Sequence, residues 1–441
     1  MKTYILLLFT CLLSLDVTGQ NNSDIYSLIE EAVFSRDEHS INEAYSKIIQ
    51  GRCTIANLMS IQISDIAHSL QDGEVVIEFF DLPKSSGGSN YLAFVLKHGM
   101  SSPRLYNICS DNALNFLLDD SCNFYNDTKV LSTIMSPLKD ELKDIRTIYF
   151  VPAGKLHEIA LEYCKDTNGK MFCENYEVYR LTSSASLANR KQHREYQNFS
   201  VWGGIELEAK LSYDDADADL EPYGNMLPYL EDSYLAAESI TKELEEKGKT
   251  VNFLHNETAT EQNFKALSGK NINAFLIETH GIFTKECSIT PKSGIHAPLD
   301  NHALALYGAA FTMDAGIVPQ GQEDGLITED EIAKLDLHNI DLAVISACKS
   351  GLGDIKWDGV HGLMRGFKQA GVNSLVMTLD DVVDYVSGQL WIQFFRNLTN
   401  GQSKREALLN GIKYIRTMDN GAYSHPKYWT PFLLIDGIKQ D

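Results

Sequence analysis

Two apolar runs in this chain end in residues able to do covalent chemistry. Ala274-Phe275-Leu276-Ile277-Glu278-Thr279 leads into His280-Gly281, and Leu342-Ala343-Val344-Ile345-Ser346 leads into Ala347-Cys348. A thiolate can attack a carbonyl carbon while an imidazolium protonates the departing amine, so these two side chains facing one cleft would be a nucleophile and its general acid/base. Gly281 fits the same chemistry. Without a Cβ its N–H can approach a substrate closely, and with the N–H of Cys348 it would form an oxyanion hole, worth about 10²- to 10³-fold per donor. Taken singly, a His-Gly at a strand end is commonly a turn and a buried Ala-Cys is commonly packing. Together, each behind an apolar strand, they point to a dyad.

The elements that must position this pair follow from periodicity. Residues 23 to 70 have helical apolar spacing, as in Ile25, Leu28, Ile29, Ala32, Val33 and again Ala44, Tyr45, Ile48, Ile49. From Glu74 the pattern changes to short β-like runs, Val75 to Phe80, Tyr91 to Leu96 and Leu105 to Ile108. Helices around 112 to 118 and 129 to 143 follow, then strands at Thr147 to Val151 and Tyr176 to Leu181. The second half alternates strand and helix from Phe199 to Ile435. A helix there is opened by Thr328 with Glu331 at capping-box spacing, another is placed near Val360 to Ala370, and a strand near Ala303 to Tyr307. Such alternation predicts an α/β fold with a mostly parallel sheet covered on both faces, whose reactive groups gather beyond the carboxyl ends of the strands.

Composition narrows the class. The 441 residues are 44% hydrophobic, with 60 acidic against 38 basic side chains and a formal net charge of −22, which excludes a disordered chain and disfavours a nucleic-acid partner. Lys2, the apolar run from Tyr4 to Leu15 and the small or permissive Val17-Thr18-Gly19 read as a signal peptide cleaved before Gln20, hence an exported protein, periplasmic or secreted. That run is shorter than the roughly 20 residues of a membrane helix, and no later segment is predicted to span a bilayer. In an oxidising compartment Cys164 and Cys173, flanking the turn Asp166-Thr167-Asn168-Gly169, are the first expected disulfide and Cys109 with Cys122 a second, with Cys348 left as a thiol. Six cysteines allow 15 connectivities, so other pairings stay open.

Further stretches carry a family resemblance. Tyr149-Phe150-Val151-Pro152-Ala153-Gly154-Lys155-Leu156-His157, Gly325-Leu326-Ile327-Thr328-Glu329-Asp330-Glu331-Ile332, Ser346 to Gly353, Gly362-Leu363-Met364-Arg365-Gly366-Phe367 and His425-Pro426-Lys427-Tyr428-Trp429 lie in order between about 75 and 437. With His280-Gly281 and Ala347-Cys348 they resemble the CHAT domain, a member of the caspase-like cysteine peptidases that include caspases, gingipains and separase. The resemblance implies a caspase-like α/β/α sandwich in residues 195–441, a supporting α/β half in 73–194, and a short helical segment in 20–72 as the vestige of a repeat region. It also implies a Cys348/His280 dyad making limited cuts in a protein or peptide substrate, with no metal or organic cofactor and scope for a regulatory protein partner. Oligomeric state is left open, and a catalytically silent interaction module is the rival reading.

Departures from the family pattern refine these expectations. Trp357-Asp358-Gly359 stands where Gly-Glu-Gly is common, keeping the charge at Asp358, and Thr378-Leu379-Asp380 replaces Ser-Leu-Trp. Loss of the aromatic leaves Asp380, Asp381 and Asp384 to form an acidic pocket preferring Lys or Arg before the cleaved bond, the alternative being solvated loop charges. Asp358, Asp380 and Asp384 are the pocket candidates. Glu278 replaces a small residue; two positions before His280, it is expected either to orient the imidazole or to pair with a base elsewhere. Gly248-Lys249-Thr250 lacks the glycine of a phosphate loop, Gly351-Leu352-Gly353 reads as a turn, His296 and His302 flank Asp300 without a full ligand set, and Asp214 to Glu221 reads as an acidic surface loop.

Overall fold

The helical apolar stripes of the first segment fold as the helices Thr18–Ser35 and Glu38–Arg52, with Asp37 capping the second by accepting the Ser40 N–H at 3.0 Å. In the computed structural model, which describes residues 18–53, 60–118, 122–190, 195–208, 227–282, 302–310, 313 and 323–439, these two helices and a third, Ile63–Ser69, form a layer on the first half of a large sheet. Residues 1–17 of the expected signal peptide, Asp214 to Glu221, Cys287, His296 and Asp300 lie outside the described residues.

The first five strands are β1 (Glu74–Pro83), β2 (Ser89–Lys97), β3 (Arg104–Ser110), β4 (Thr147–Val151) and β5 (Glu177–Arg180). Alternation along β1 explains its unbroken apolar sequence. Val75, Ile77 and Phe79 enter one core, while Val76 and Phe80 enter the other with Ile29, Tyr45 and Ile48 of the helical layer. The helix expected over 129–143 is shorter: it runs Thr128–Met135 and gives way to a 3₁₀ turn at Ser136–Leu138, because Pro137 has no N–H to continue the ladder.

The second half supplies β6 (Asn198–Ile205), β7 (Thr250–Asn256), β8 (Ala274–Glu278), the short β9 (Gly281–Ile282), β10 (Ala303–Ala305) and β11 (Leu326–Thr328), then β12 (Leu342–Ser346). A hairpin of β13 (Asp354–Lys356) and β14 (Gly359–His361) follows, then β15 (Ser374–Thr378) and β16 (Phe432–Ile435). Eleven of these make one sheet in the order β3-β2-β1-β4-β5-β16-β15-β12-β8-β6-β7. Seven of its ten neighbouring pairs are parallel, which is the α/β class expected. Two parallel blocks of opposite direction meet at the antiparallel β15/β16 pair, and β16 pairs with β5 at one position, Ile435 opposite Arg180.

Both faces of the second block are covered. Phe199 of β6 packs edge-on against Phe395 of helix Asp384–Thr399, which lies against helix Glu231–Glu246. On the opposite face Trp202, Phe275 and Phe264 pack edge-to-face with one another, and Phe264 edge-to-face with Phe367 of helix Leu363–Gln369. Thr328 closes its capping box with Glu331 as expected. Two local expectations shift: Val360 lies in β14 and the helix starts only at Leu363, while β10 pairs with β9 and β11 in a small separate sheet.

No disulfide occurs among the described residues: neither Cys109 with Cys122 nor Cys164 with Cys173 is joined. The turn between Cys164 and Cys173 does form, with Asp166 accepting the Lys170 and Asn168 N–H groups, but the Cys164 thiol points back to the Ala160 carbonyl at 3.8 Å.

Candidate active site

β8 and β12 are parallel neighbours with Glu278 opposite Ser346, and the Thr279 N–H donates to the Ser346 carbonyl at 3.1 Å. His280 and Cys348 therefore leave the sheet side by side, each two positions past a paired residue. Gly281 lies directly against the turn: a Cβ there would collide with the Cys348 carbonyl oxygen, so only glycine fits. Two hydroxyls hold the strand ends. Thr279 Oγ1 donates to the Ala305 carbonyl and Thr378 Oγ1 to the Ala347 carbonyl, both at 2.5 Å. Thr378 thereby keeps the hydroxyl of the Ser it replaces in the family pattern.

The residue after the cysteine is in the left-handed region, Lys349 at φ 54°, an uncommon conformation for a side chain with a Cβ. Its N–H donates to the Asp380 carbonyl at 3.3 Å and its ammonium lies 3.7 Å from Asp381. Burial pushes the Cys348 thiol above its ordinary value, a hydrogen bond from the Val382 N–H opposes this, and Asp381 adds to the rise. Burial also lowers the His280 imidazole, opposed by a hydrogen bond to Pro228. The His280 Nε2 to Pro228 carbonyl distance is 2.8 Å. Because a carbonyl only accepts, Nε2 carries the proton and Nδ1 is the nitrogen left for chemistry. Thiol and imidazole are thus both biased toward their neutral forms.

The acidic candidates separate. Asp380 is exposed, its carboxylate occupied by the Asp381 N–H at 2.8 Å. Asp358 sits at the tip of the β13/β14 hairpin, paired with Arg365 at 3.1 Å and His361 at 3.0 Å, and lines a different cavity. Asp384 acts electrostatically on Glu278, two residues before His280. It opens helix Asp384–Thr399 and accepts the N–H of Asp232, in the first turn of helix Glu231–Glu246, at 3.0 Å. Along β8, Glu278 alternates to the face opposite Phe275, which is the face these two helices cover.

Glu278 meets neither expectation. It is 2% exposed, and neither carboxyl oxygen has a hydrogen-bond partner, so it neither orients His280 by a hydrogen bond nor pairs with a base. Burial, then Asp384 and Asp232, hold its proton far above the ordinary range. Asp384 is itself raised to about 6 by burial and by Asp232. Glu278, Asp384 and Asp232 thus act on one another as three like-charged carboxyls. Sequence reasoning missed Asp232, which lies in the first turn of helix Glu231–Glu246, and Pro228, whose contribution is a backbone carbonyl with no side-chain signal.

Among the described residues one trio, Glu261, Glu323 and Glu331, is close enough to hold a metal ion. Lys265 occupies its centre, with its ammonium 2.6, 3.1 and 2.9 Å from the three.

A stretch of 110 residues is 29% identical to tetratricopeptide repeat protein 28 of Homo sapiens, and equally to that of Mus musculus, covering 25% of this chain and only 4% of the length of those proteins. Among solved structures the chain is similar to the Saccharomyces cerevisiae separase–securin complex, with a TM-score of 0.49 and 10% identity over 95% of this chain and 34% of that one. It is also similar to the Arg-specific cysteine proteinase gingipain R, with a TM-score of 0.40 and 11% identity over 73% of this chain and 69% of that one. The family model for the CHAT domain matches residues 128–437, a span that includes β8, β12 and the three carboxyls, and the chain belongs to the CHAT domain family.

Proposed function

We propose that this chain is an exported cysteine endopeptidase making limited cuts in a protein substrate. Cys348 is the nucleophile, Nδ1 of His280 takes the thiol proton and returns it to the leaving amine, and the N–H groups of Gly281 and Cys348 receive the oxyanion. The observation that carries this reading is the junction of β8 and β12, where Gly281 abuts Cys348 and His280 is tied to the Pro228 carbonyl. A guanidinium or ammonium before the cleaved bond would be drawn to Glu278, Asp232 and Asp384, since desolvated carboxyls select a cation they can pair with.

The neutral bias of Cys348 and His280 favours one competing reading, an interaction module that performs no turnover. Turnover of a peptide library by the reduced full chain, beside Cys348→Ala and His280→Ala, separates the two. Cleavage after Lys or Arg by wild type alone supports the peptidase; equal absence of cleavage in all three supports the silent module.

A further inference from the structure

Away from the cleft, a cavity of about 30 Å³ lies at the seam where β5 meets β16. Its wall comes from both halves of the chain. Arg52 ends helix Glu38–Arg52, His157 closes the 3₁₀ turn Gly154–His157, Arg180 ends β5, and Arg365 and Lys368 belong to helix Leu363–Gln369. Asp358 is the acidic residue on that wall. Arg52, Arg180 and Lys368 are only 2%, 3% and 5% exposed.

Carboxylates behind the wall fix these cations without filling the space in front of them. Arg52 Nη1 lies 2.6 Å from Glu78, Arg180 Nε 2.9 Å from Glu162, and Lys368 Nζ 2.8 Å from Asp436. After those pairings, Arg52 Nη2 and His157 Nε2 remain buried with no hydrogen-bond partner. Buried polar groups are rarely left so, and a charged donor is among the costliest to leave unbonded. Arg52 and Arg180 both act on the His157 ring electrostatically, so the three side chains stand together.

Arg52 Nη2 is an unspent N–H donor, the neutral His157 ring offers a second in its Nε2–H tautomer, and the wall itself carries four cations, Arg52, Arg180, Arg365 and Lys368, against the one carboxylate of Asp358, so the complementary ligand is an anion. A volume near 30 Å³ exceeds the roughly 10–15 Å³ needed for one water, and a group with several acceptor oxygens could meet donors on different sides. We propose that this cavity binds a tetrahedral oxyanion, the phosphoryl group of free phosphate or of a small phosphomonoester, with Arg52 and His157 as donors and Arg365 and Lys368 as flanking cations. The site grips the hairpin that follows Cys348 in the chain. Arg52 Nε donates to the Trp357 carbonyl at 3.2 Å, and the Trp357 indole packs over Gly51.

The test is titration calorimetry and thermal unfolding of the full chain with inorganic phosphate and with glycerol phosphate, against chloride at matched ionic strength. Expected is saturable one-to-one binding and a midpoint that climbs with ligand, with His157→Leu and Arg365→Gln each weakening binding at least tenfold while remaining folded. Arg52→Met strands Glu78, so it is made together with Glu78→Gln. Tighter binding of the ester points to a phosphorylated molecule, and tighter binding of phosphate to the free ion. Midpoints equal to those in chloride with no binding heat, or affinity unchanged in both single variants, would overturn the proposal.

Discussion

Replacing Glu278 by Gln should stabilise the protein at alkaline pH, and by an amount that grows with pH. The unfolded carboxyl ionises around its ordinary value of 4.5, whereas the folded one keeps its proton far higher because it is buried beside Asp384 and Asp232. Above 4.5 the native state therefore binds one proton more than the unfolded state, and native stability falls as pH rises, by about 1.4 kcal/mol per unit for one full proton. Asp384, raised to about 6, contributes the same sign of slope only up to that pH. Between pH 6.5 and 8 the wild-type chain should lose up to about 2 kcal/mol relative to Glu278→Gln, a difference in which the histidines common to both proteins cancel. Urea titrations at pH 6.5, 7.25 and 8 read it directly. An Arg-containing peptidyl inhibitor should flatten the wild-type slope, because a guanidinium favours the ionised carboxyl. Parallel pH–stability lines for the two proteins, or a variant less stable at pH 8, would refute the reasoning.

Three other outcomes follow from the same geometry. Gly281→Ala places a methyl against the Cys348 carbonyl and should lower kcat/KM by about 10²-fold or more while the chain stays folded; activity within a few-fold of wild type would remove Gly281 from the oxyanion hole. Gly51→Leu cannot coexist with the Trp357 indole and should destabilise by about 1–3 kcal/mol with red-shifted tryptophan emission, whereas unchanged emission and urea midpoint would mean that the hairpin does not dock there. Toward Arg substrates, kcat/KM of the wild type should rise through pH 6 as Asp384 ionises, and Asp384→Asn should lose that limb; an identical pH profile in the variant would take Asp384 out of the pocket.

Strand ends were the most legible feature of the sequence, because Leu342 to Ser346 and Ala274 to Ile277 are buried on both faces and read as apolar runs with abrupt stops. Their stops put His280 and Cys348 at the carboxyl end of the sheet, and the register of β8 against β12 makes them neighbours. The seam was not legible. β16 comes last in the chain yet inserts between β5 and β15, a long-range pairing that no local pattern encodes. Asp358 and Asp380 look equivalent to Asp384 as acids near the cysteine, and only the hairpin and the exposed turn separate them. Glu278 shows the limit of face periodicity: two positions before His280 it is expected beside the imidazole, but its surroundings depend on where two remote helices begin. The disulfide expectation failed because a well-formed turn brings two backbones together without aiming their thiols at each other.

The central claim, that Cys348 is a nucleophile served by His280, is tested most directly by locating a covalent adduct. The full chain is treated in reducing buffer with an Arg peptidyl acyloxymethyl ketone and digested, and the modified residue is identified by mass spectrometry. The account predicts a thioether on Cys348 alone, formed at least 10²-fold more slowly in His280→Ala and absent in Cys348→Ala. Labelling spread over Cys109, Cys122 and Cys348 alike, or equal rates with and without the imidazole, would contradict it.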